Sequence, residues 1–204
     1  MKQLIRHFKT AGFLLMASIA IVSCNSGNSS SDSGKMPSSD SVSAAGKNST
    51  APAPRQDSAV ANLKSLTDTS LDGTVHFTAE PDGKVKMKLE LTIPQKANKS
   101  VAVHIHANGD CGDMGKAAGG HWNPTNVQHG KWGSSSFHSG DIGNVSLDMN
   151  GKGSMEMETN LWSLGGDMKT NILGKAIIVH GGVDDYVSQP AGNAGARIGC
   201  GVIQ

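Results

Sequence analysis

The feature that most constrains the fold is a strict alternation of apolar and polar residues in two neighbouring stretches of the chain. Val75–Ala79 carries apolar side chains at every second position, and Val85–Ile93 repeats the pattern. Pro81-Asp82-Gly83 lies between them and is typical of a tight turn. Successive side chains of a strand point to opposite faces, so a period of two predicts strands rather than helices. We therefore predict an antiparallel hairpin with one apolar face.

The rest of the C-terminal region repeats these signals. Alternating residues on either side of Asn150-Gly151 predict a second hairpin over 145–157, with Met155 and Met157 in the core. Further strands are predicted at 101–106 and 175–180. Short strands separated by turns, with almost no helical periodicity, indicate an all-β domain over residues 66–204, folded as an antiparallel sandwich or barrel.

The N-terminus has the organisation of an export signal. In residues 1–23, three basic residues precede an apolar run that is too short to span a bilayer. The run ends at Ile21-Val22-Ser23-Cys24, which resembles the lipobox of bacterial lipoproteins, cleaved before Cys24 and acylated on it. The alternative is an ordinary signal peptide followed by a chance cysteine. We expect a protein of the cell envelope, anchored by lipid to a bacterial membrane and facing the periplasm or the surface.

Residues 24–65 predict a flexible tether between the lipid and the domain. This stretch is rich in Ser, Gly, Pro and Ala and contains no aromatic residue, so it buries too little apolar surface to offset its ordering entropy. As a random coil of about 40 residues it would reach about 35 Å. Removal of the three basic residues of the signal takes the formal net charge from +1 to −2. That balance, without a basic run, argues against nucleic acid as a partner.

The chain has three cysteines, an odd number for an exported protein. Acylation of Cys24 would remove one of them. Cys111 and Cys200 then remain as a pair in an oxidising compartment.

Six of the eight histidines lie between residues 104 and 180, which is too dense for ordinary core packing. In a strand over 101–106 the apolar residues would face the core, which places His104 and His106 together on the opposite face. A second group lies in a loop rich in Gly, Asn and Ser. Its members are His121, His129, His138 and Asp141. Three imidazoles and a carboxylate are suitable ligands for tetrahedral zinc, and imidazole also suits copper. The pattern predicts a two-metal site.

Several motifs carry a family resemblance. They are His104-Ile105-His106, Gly120-His121-Trp122-Asn123-Pro124, His138-Ser139-Gly140-Asp141-Ile142-Gly143-Asn144, Val179-His180 and Gly192–Ile203. They resemble the motifs of copper–zinc superoxide dismutases, over essentially all of 68–204. The resemblance implies an immunoglobulin-like Greek-key fold of about eight strands with long metal-binding loops. It also implies one copper and one zinc per subunit, superoxide as the substrate, and the possibility of a homodimer.

The resemblance assigns a role to each site residue. Copper would be held by His104, His106, His121 and His180. Zinc would be held by His121, His129, His138 and Asp141. His121 would thus bridge the metals and carry a proton, Arg197 would attract superoxide, and Asp184 would link a copper histidine to a zinc histidine. Cys111 and Cys200 match the disulfide of the family.

The sequence also departs from the better-known cytosolic members. The segment between His180 and Arg197 is short and contains no Lys or Glu, so the charged cluster usual in that loop is missing. The short interval from His106 to Cys111 is similar to that of the bacterial exported branch. Other cations must then assist Arg197, and loop position makes Lys116 and Lys131 the candidates.

Two other functions are compatible with an exported domain of this kind. A copper carrier or store would bind the metal without turnover, and would be expected to lose part of the ligand set or the guiding arginine. A purely structural surface lipoprotein would have no need of seven ligand residues. The complete ligand set favours the enzyme.

Overall fold

The structure is a computed structural model that describes residues 54–204. It contains eight strands and two short 3-10 helices at Pro94–Lys96 and Lys116–Ala118. The strands are β1 Ser58–Ser65, β2 Asp72–Ala79, β3 Val85–Thr92, β4 Ser100–His106, β5 Gly143–Ser146, β6 Lys152–Thr159, β7 Ala176–His180 and β8 Arg197–Val202. The predicted signal peptide, Cys24 and most of the tether lie outside the described residues. Between residues 54 and 204, no helix is long and apolar enough to cross a membrane.

All strand pairs are antiparallel, and the sheet curls into a nearly closed barrel. The strand order is β5-β4-β7-β8-β1-β2-β3-β6. The chain therefore crosses from β3 to β4, which are not neighbours, and the short β5 and the long β6 form the two edges. This arrangement confirms the predicted all-β, eight-stranded Greek-key fold.

The alternation of apolar and polar residues in the sequence corresponds to the buried and exposed faces of the sheet. In β3 the side chains of Val85, Met87, Leu89 and Leu91 are buried, and those between them are exposed. β2 pairs with β3 as predicted, with Phe77 opposite Met87. Burial of such side chains stabilises the fold by roughly 1.5–3 kcal/mol each.

The predicted second hairpin is only partly correct. A turn forms at Asn150-Gly151, where Gly151 adopts a positive φ of 73°. However, β5 pairs with β4, and β6 pairs with β3. The two segments therefore flank the gap in the barrel and form no ladder with each other, because strand partners in a Greek key are not fixed by periodicity. Met155 and Met157 are half-buried and pack against the core.

The predicted boundary at residue 66 is wrong. Residues 58–65 form β1, which lies between β8 and β2 in the sheet. Ala59, Ala61 and Leu63 are buried in this strand. The small side chains of the two alanines made its alternation hard to recognise beside the Ser- and Ala-rich segment that precedes it.

Candidate metal centre

β4 carries the first two histidines on the face that the sequence predicted. Val101, Val103 and Ile105 point into the core, whereas His104 and His106 project from the other face and are buried beneath loops. The segment containing His121 runs antiparallel to the end of β4. There the Trp122 N–H donates to the Ile105 carbonyl oxygen at 2.8 Å, and His106 and His121 form a β-bridge.

His180, the last residue of β7, completes the first ligand group. One ligand atom from each of His104, His106, His121 and His180 lies within 4.8 Å of the others. His180 is opposite Arg197 in the pairing of β7 with β8, at an irregularity in the register.

A second group forms beside the first. One ligand atom from each of His121, His129, His138 and Asp141 also lies within 4.8 Å of the others. A tight turn brings two of them together, since the Asp141 N–H donates to the His138 carbonyl oxygen at 3.0 Å. The His138 N–H donates in return to Asp141 Oδ2 at 2.7 Å.

His121 belongs to both groups through different ring nitrogens. Its Nδ1 lies 2.8 Å from Asp141 Oδ1, on the side of the second group. Its Nε2 is buried and has no hydrogen-bond partner. The ring stacks near His104, with a centroid separation of 4.0 Å. One imidazole therefore has a nitrogen available to each group.

The donor atoms in both groups fit metal ions. Six buried ring nitrogens have no hydrogen-bond partner among the described residues, although buried polar atoms are normally paired. They are His104 Nδ1, His106 Nε2, His121 Nε2, His129 Nδ1, His138 Nδ1 and His180 Nε2. The first group contains four of these nitrogens, and the second contains two, those of His129 and His138, together with His121 Nδ1 and the Asp141 carboxylate. Neutral imidazole nitrogens in such a cluster are suitable ligands for copper and zinc.

In three of the ligand histidines, the ring nitrogen that faces away from the group donates a hydrogen bond to a carbonyl oxygen of a surrounding loop. His106 Nδ1 donates to the Gly119 carbonyl oxygen at 2.9 Å, and His180 Nδ1 donates to that of Gly195 at 3.2 Å. His138 Nε2 donates to the Val127 carbonyl oxygen at 3.1 Å. Such bonds fix the tautomer and ring orientation, which leaves the opposite nitrogen free for a metal.

Asp184 links the two groups, as the resemblance implied. His104 Nε2 donates to Asp184 Oδ2 at 2.9 Å, and His129 Nε2 donates to Asp184 Oδ1 at 3.0 Å. Asn144 holds the backbone of Asp184, since its amide oxygen accepts from the Asp184 N–H at 2.8 Å and its amide nitrogen donates to the Asp184 carbonyl oxygen at 2.9 Å. The sequence placed Asn144 in a motif but gave no sign of this function.

Arg197 lies at the start of β8 and is half-buried. Its guanidinium donates to the carbonyl oxygens of Gly115 and Gly119, the latter at 2.6 Å. Both glycines belong to the loop that begins at Cys111. A disulfide joins Cys111 to Cys200 on β8, with a Cα–Cα distance of 5.8 Å. The predicted pairing is therefore present, and it fixes the loop against the strand that carries Arg197.

Burial keeps three of the ligand imidazoles neutral. It lowers the pKa of His106 to about 2, of His180 to about 3 and of His121 to about 4. Burial raises the pKa of Asp141, but hydrogen bonds from His121 and His138 outweigh this and hold it well below its ordinary value. These three imidazoles are therefore neutral and Asp141 is ionised, the protonation states that metal binding requires.

An aromatic cluster supports the loop between the ligands. Trp162 is buried, and its Nε1 donates to the Ser139 carbonyl oxygen at 2.8 Å, next to His138. Trp132 packs against Trp162 and Phe137, with ring centroids 5.4 and 5.0 Å apart. Trp122, the residue after His121, is also buried in the hydrophobic core. The contribution of Trp162 was missed because it lies outside every motif.

Three lysines lie near the loops around the first group. Lys116 is exposed, and its Nζ lies 3.9 Å from Asp113 Oδ1. Lys131 Nζ lies 5.9 Å from the centroid of the Tyr186 ring. Lys96 was not predicted, yet its Nζ donates to the carbonyl oxygen of Gly181, the residue after His180, at 2.6 Å.

Sequence comparison agrees with this geometry. The sequence model of the family described as copper/zinc superoxide dismutase (SODC) matches residues 71–203. The chain belongs to the copper/zinc superoxide dismutase family. It is 39% identical over 137 residues to superoxide dismutase [Cu-Zn] of Paramecium bursaria Chlorella virus 1, covering 64% of this chain and 71% of that one. It is also 39% identical over 145 residues to that of Candida albicans, covering 67% and 91%.

A solved structure has a similar fold. The fold is similar to the crystal structure of the clock protein EA4, with a TM-score of 0.66 and 33% sequence identity. The match covers 74% of this chain and 95% of that protein. Copper and zinc are the cofactors of the family, and the two ligand groups described above suit them.

Proposed function

We propose that this protein is a superoxide dismutase of the bacterial cell envelope, held at a membrane by lipid on Cys24. Two superoxide anions and two protons would give dioxygen and hydrogen peroxide. The observation that carries the proposal is His121, whose two ring nitrogens serve two adjacent four-ligand groups beside a half-buried arginine. The protein would protect the envelope from oxidative damage.

The ligand division follows the two groups. Copper would be bound by His104, His106, His121 and His180. Zinc would be bound by His121, His129, His138 and Asp141. Copper supplies one-electron redox chemistry, and zinc supplies charge and order without changing oxidation state. A test of this division is His129→Ala, which should mainly remove zinc, against His180→Ala, which should mainly remove copper. Equal loss of both metals in each variant would contradict it.

Side chains of this protein would bind and orient superoxide and supply a proton to the peroxide product. Arg197 is a cation held at a fixed position by two carbonyl oxygens, so it attracts and orients a small anion. His121 Nε2 faces the copper group and would hold a proton for the peroxide product when it is free of metal. Asp184 holds His104 and His129 at fixed orientations through their outer nitrogens.

A dismutation assay combined with elemental analysis tests the activity. The full-length protein would be purified in detergent, loaded with both metals, and assayed for superoxide loss. We expect rapid second-order turnover in a sample that contains one copper and one zinc per chain. A fully loaded sample without turnover would favour a copper carrier or store instead.

The anchor requires a separate experiment. Replacement of Cys24 by Ser should release the protein into the soluble fraction or leave it unprocessed, because the acylated side chain is lost. Mature Cys24→Ser protein that fractionates with membranes as before would contradict lipid attachment at this residue.

A homodimer stays a prediction, to be checked by sedimentation of the detergent-purified protein.

A further inference from the structure

The side chain of Gln189 connects the loop after His180 to the backbone of His129. Gln189 Oε1 accepts a hydrogen bond from the His129 N–H at 2.9 Å, and Gln189 Nε2 donates to the His129 carbonyl oxygen at 2.9 Å. One planar amide therefore pairs with both backbone groups of a single residue, as a neighbouring strand would. Gln189 itself belongs to neither ligand group.

The loop that carries Gln189 is assembled by its own hydrogen bonds. The Asp185 N–H donates to the Gly192 carbonyl oxygen at 2.9 Å, and the Gly192 N–H donates to that of Ser188 at 2.7 Å. The Asp185 carboxylate also accepts from the N–H groups of Val187 and Ser188, at 2.9 and 2.8 Å. None of these bonds involves a metal ligand, so the bonds within the loop can form without zinc.

The same loop also packs against the ring of His129. Asp184 Oδ1 accepts from His129 Nε2 at 3.0 Å. A Cβ atom at Gly192, which has a φ of +64°, would lie 1.8 Å from Asp184 Oδ1 and 2.7 Å from His129 Nε2. Asp184 therefore orients the imidazole, whereas Gln189 fixes the backbone from which the imidazole projects.

We propose that Gln189 is a positioning residue for the zinc site. It holds the His129 backbone so that His129 Nδ1 faces the other zinc ligands before the ion binds. The proposal rests on the assignment of His129 to zinc made above. The Gln189 amide bonds the backbone of His129 and not its ring, so these bonds can form when the protein folds. Zinc binding then does not have to order His129.

Two variants and a matched control test the proposal. Gln189→Met keeps the length of the side chain and removes both hydrogen bonds. Gln189→Glu keeps an acceptor for the His129 N–H but places a second oxygen against the His129 carbonyl. The control is Gln95→Met, since the Gln95 amide, in its hydrogen-bonded orientation, also pairs with both backbone groups of one residue, Ser70, at 3.2 and 3.1 Å.

The first measurement is competition between the metal-free, full-length protein and a chromophoric chelator for Zn²⁺ alone. Loss of an outer partner of a ligand typically weakens metal binding 10- to 100-fold, so we expect about a 10-fold loss of zinc affinity in both Gln189 variants. Gln95→Met should bind zinc as the wild type does, and Cu²⁺ affinity should change by less than about 2-fold in all three variants. Unchanged zinc affinity in Gln189→Met, or an equal loss in Gln95→Met, overturns the proposal.

The second measurement is hydrogen exchange of the His129 backbone amide in metal-free protein. We expect slow exchange in the wild type and faster exchange in Gln189→Met, because the bond to Oε1 is absent. Exchange that is equally fast in both metal-free proteins overturns the proposal. Neither readout requires turnover, so a loaded wild type that fails to dismutate superoxide would refute the enzyme while leaving these zinc results interpretable.

Discussion

Arg197 and His106 share one hydrogen-bond acceptor, the carbonyl oxygen of Gly119. His106 Nδ1 donates to it at 2.9 Å, and Arg197 Nη2 donates at 2.6 Å. The guanidinium proposed to attract the substrate is therefore connected through one atom to a proposed copper ligand. A change at Arg197 alters both the charge at the site and the surroundings of His106.

Arg197→Ala should lower the second-order rate with superoxide on the order of 10-fold, because the guiding charge is lost. Arg197→Glu should lower it further by reversing that charge. The rate of the wild type should also fall as salt rises, since screening limits the field to about 8 Å at physiological ionic strength. Stopped-flow assays at several salt concentrations measure these effects. An Arg197→Glu rate equal to the wild-type rate at low salt would show that this charge does not guide the substrate.

Lys96→Glu should lower the rate by about 2- to 5-fold at low salt, because Lys96 Nζ lies against Gly181, next to His180. Lys116→Glu is the comparison, since the Lys116 side chain is exposed and has a carboxylate nearby. The same stopped-flow assay applies. A larger loss in Lys116→Glu than in Lys96→Glu would assign the second guiding charge to Lys116, in the loop that begins at Cys111, and would contradict the prediction for Lys96.

Replacing Cys111 and Cys200 together by Ser should destabilise the domain by up to about 4–5 kcal/mol, the loop-entropy value for a long closed loop. The closed segment spans a sequence separation of 89 residues. Urea unfolding at equal metal content measures the difference. The turnover rate should also fall, because Gly115 and Gly119 lose their covalent link to β8. A double variant with wild-type stability and rate would show that noncovalent packing alone fixes the loop.

Asp184→Asn should weaken the binding of both metals, by about 10- to 100-fold for zinc. The amide can accept from only one of the two ring N–H groups, of His104 or His129, and presents its own donors to the other. Chelator competition with each metal separately measures the effect. This result would differ from that of Gln189→Met, in which only zinc binding should weaken. Unchanged affinity for both metals in Asp184→Asn would contradict a linking function.

The stability of the metal-free protein should fall as the pH falls below about 6.5. Burial lowers the pKa of His180 to about 3 and of His121 to about 4, from an ordinary value of 6.5. Between these limits the unfolded chain binds protons that the folded chain does not, so acidification favours unfolding. Each such histidine contributes a slope of about 1.4 kcal/mol per pH unit.

Urea unfolding of the metal-free protein at pH 7.5, 6.0 and 5.0 measures this slope. His180→Gln should reduce this slope by the contribution of one histidine, because glutamine does not titrate. An identical slope in the variant would show that His180 is not the buried neutral group that its surroundings indicate.

Most of the proposed metal ligands were predictable because their chemistry is local in the sequence. Strand alternation alone placed His104 and His106 on one face, and a loop poor in apolar residues made His121, His129, His138 and Asp141 stand out. His180 was assigned only through the family resemblance. Asn144 and Gln189 could not be recognised in this way, because their partners lie far along the chain, and amide side chains have many possible partners. Trp162 was missed because it lies outside every motif.

The strands themselves were mostly predictable, but their pairing was not. Periodicity identified β2 and β3 and the hairpin between them, where a short turn leaves only one possible partner. It failed for β5 and β6, whose partners are β4 and β3, because a Greek key pairs segments that are distant in sequence. It also failed at β1, where two alanines bury little surface and give a weak signal.

The position of β1 has a practical consequence for producing the domain as a fragment. A fragment starting at residue 66 would lack the strand that lies between β8 and β2, and would expose the polar backbone of β2 over Asp72–Thr78 and of β8 at Gly199 and Cys200. Unpaired strand edges of this kind are templates for aggregation. A truncated protein should therefore begin no later than Pro54, so that the Gln56 N–H keeps its bond to the Leu164 carbonyl oxygen and β1 remains complete.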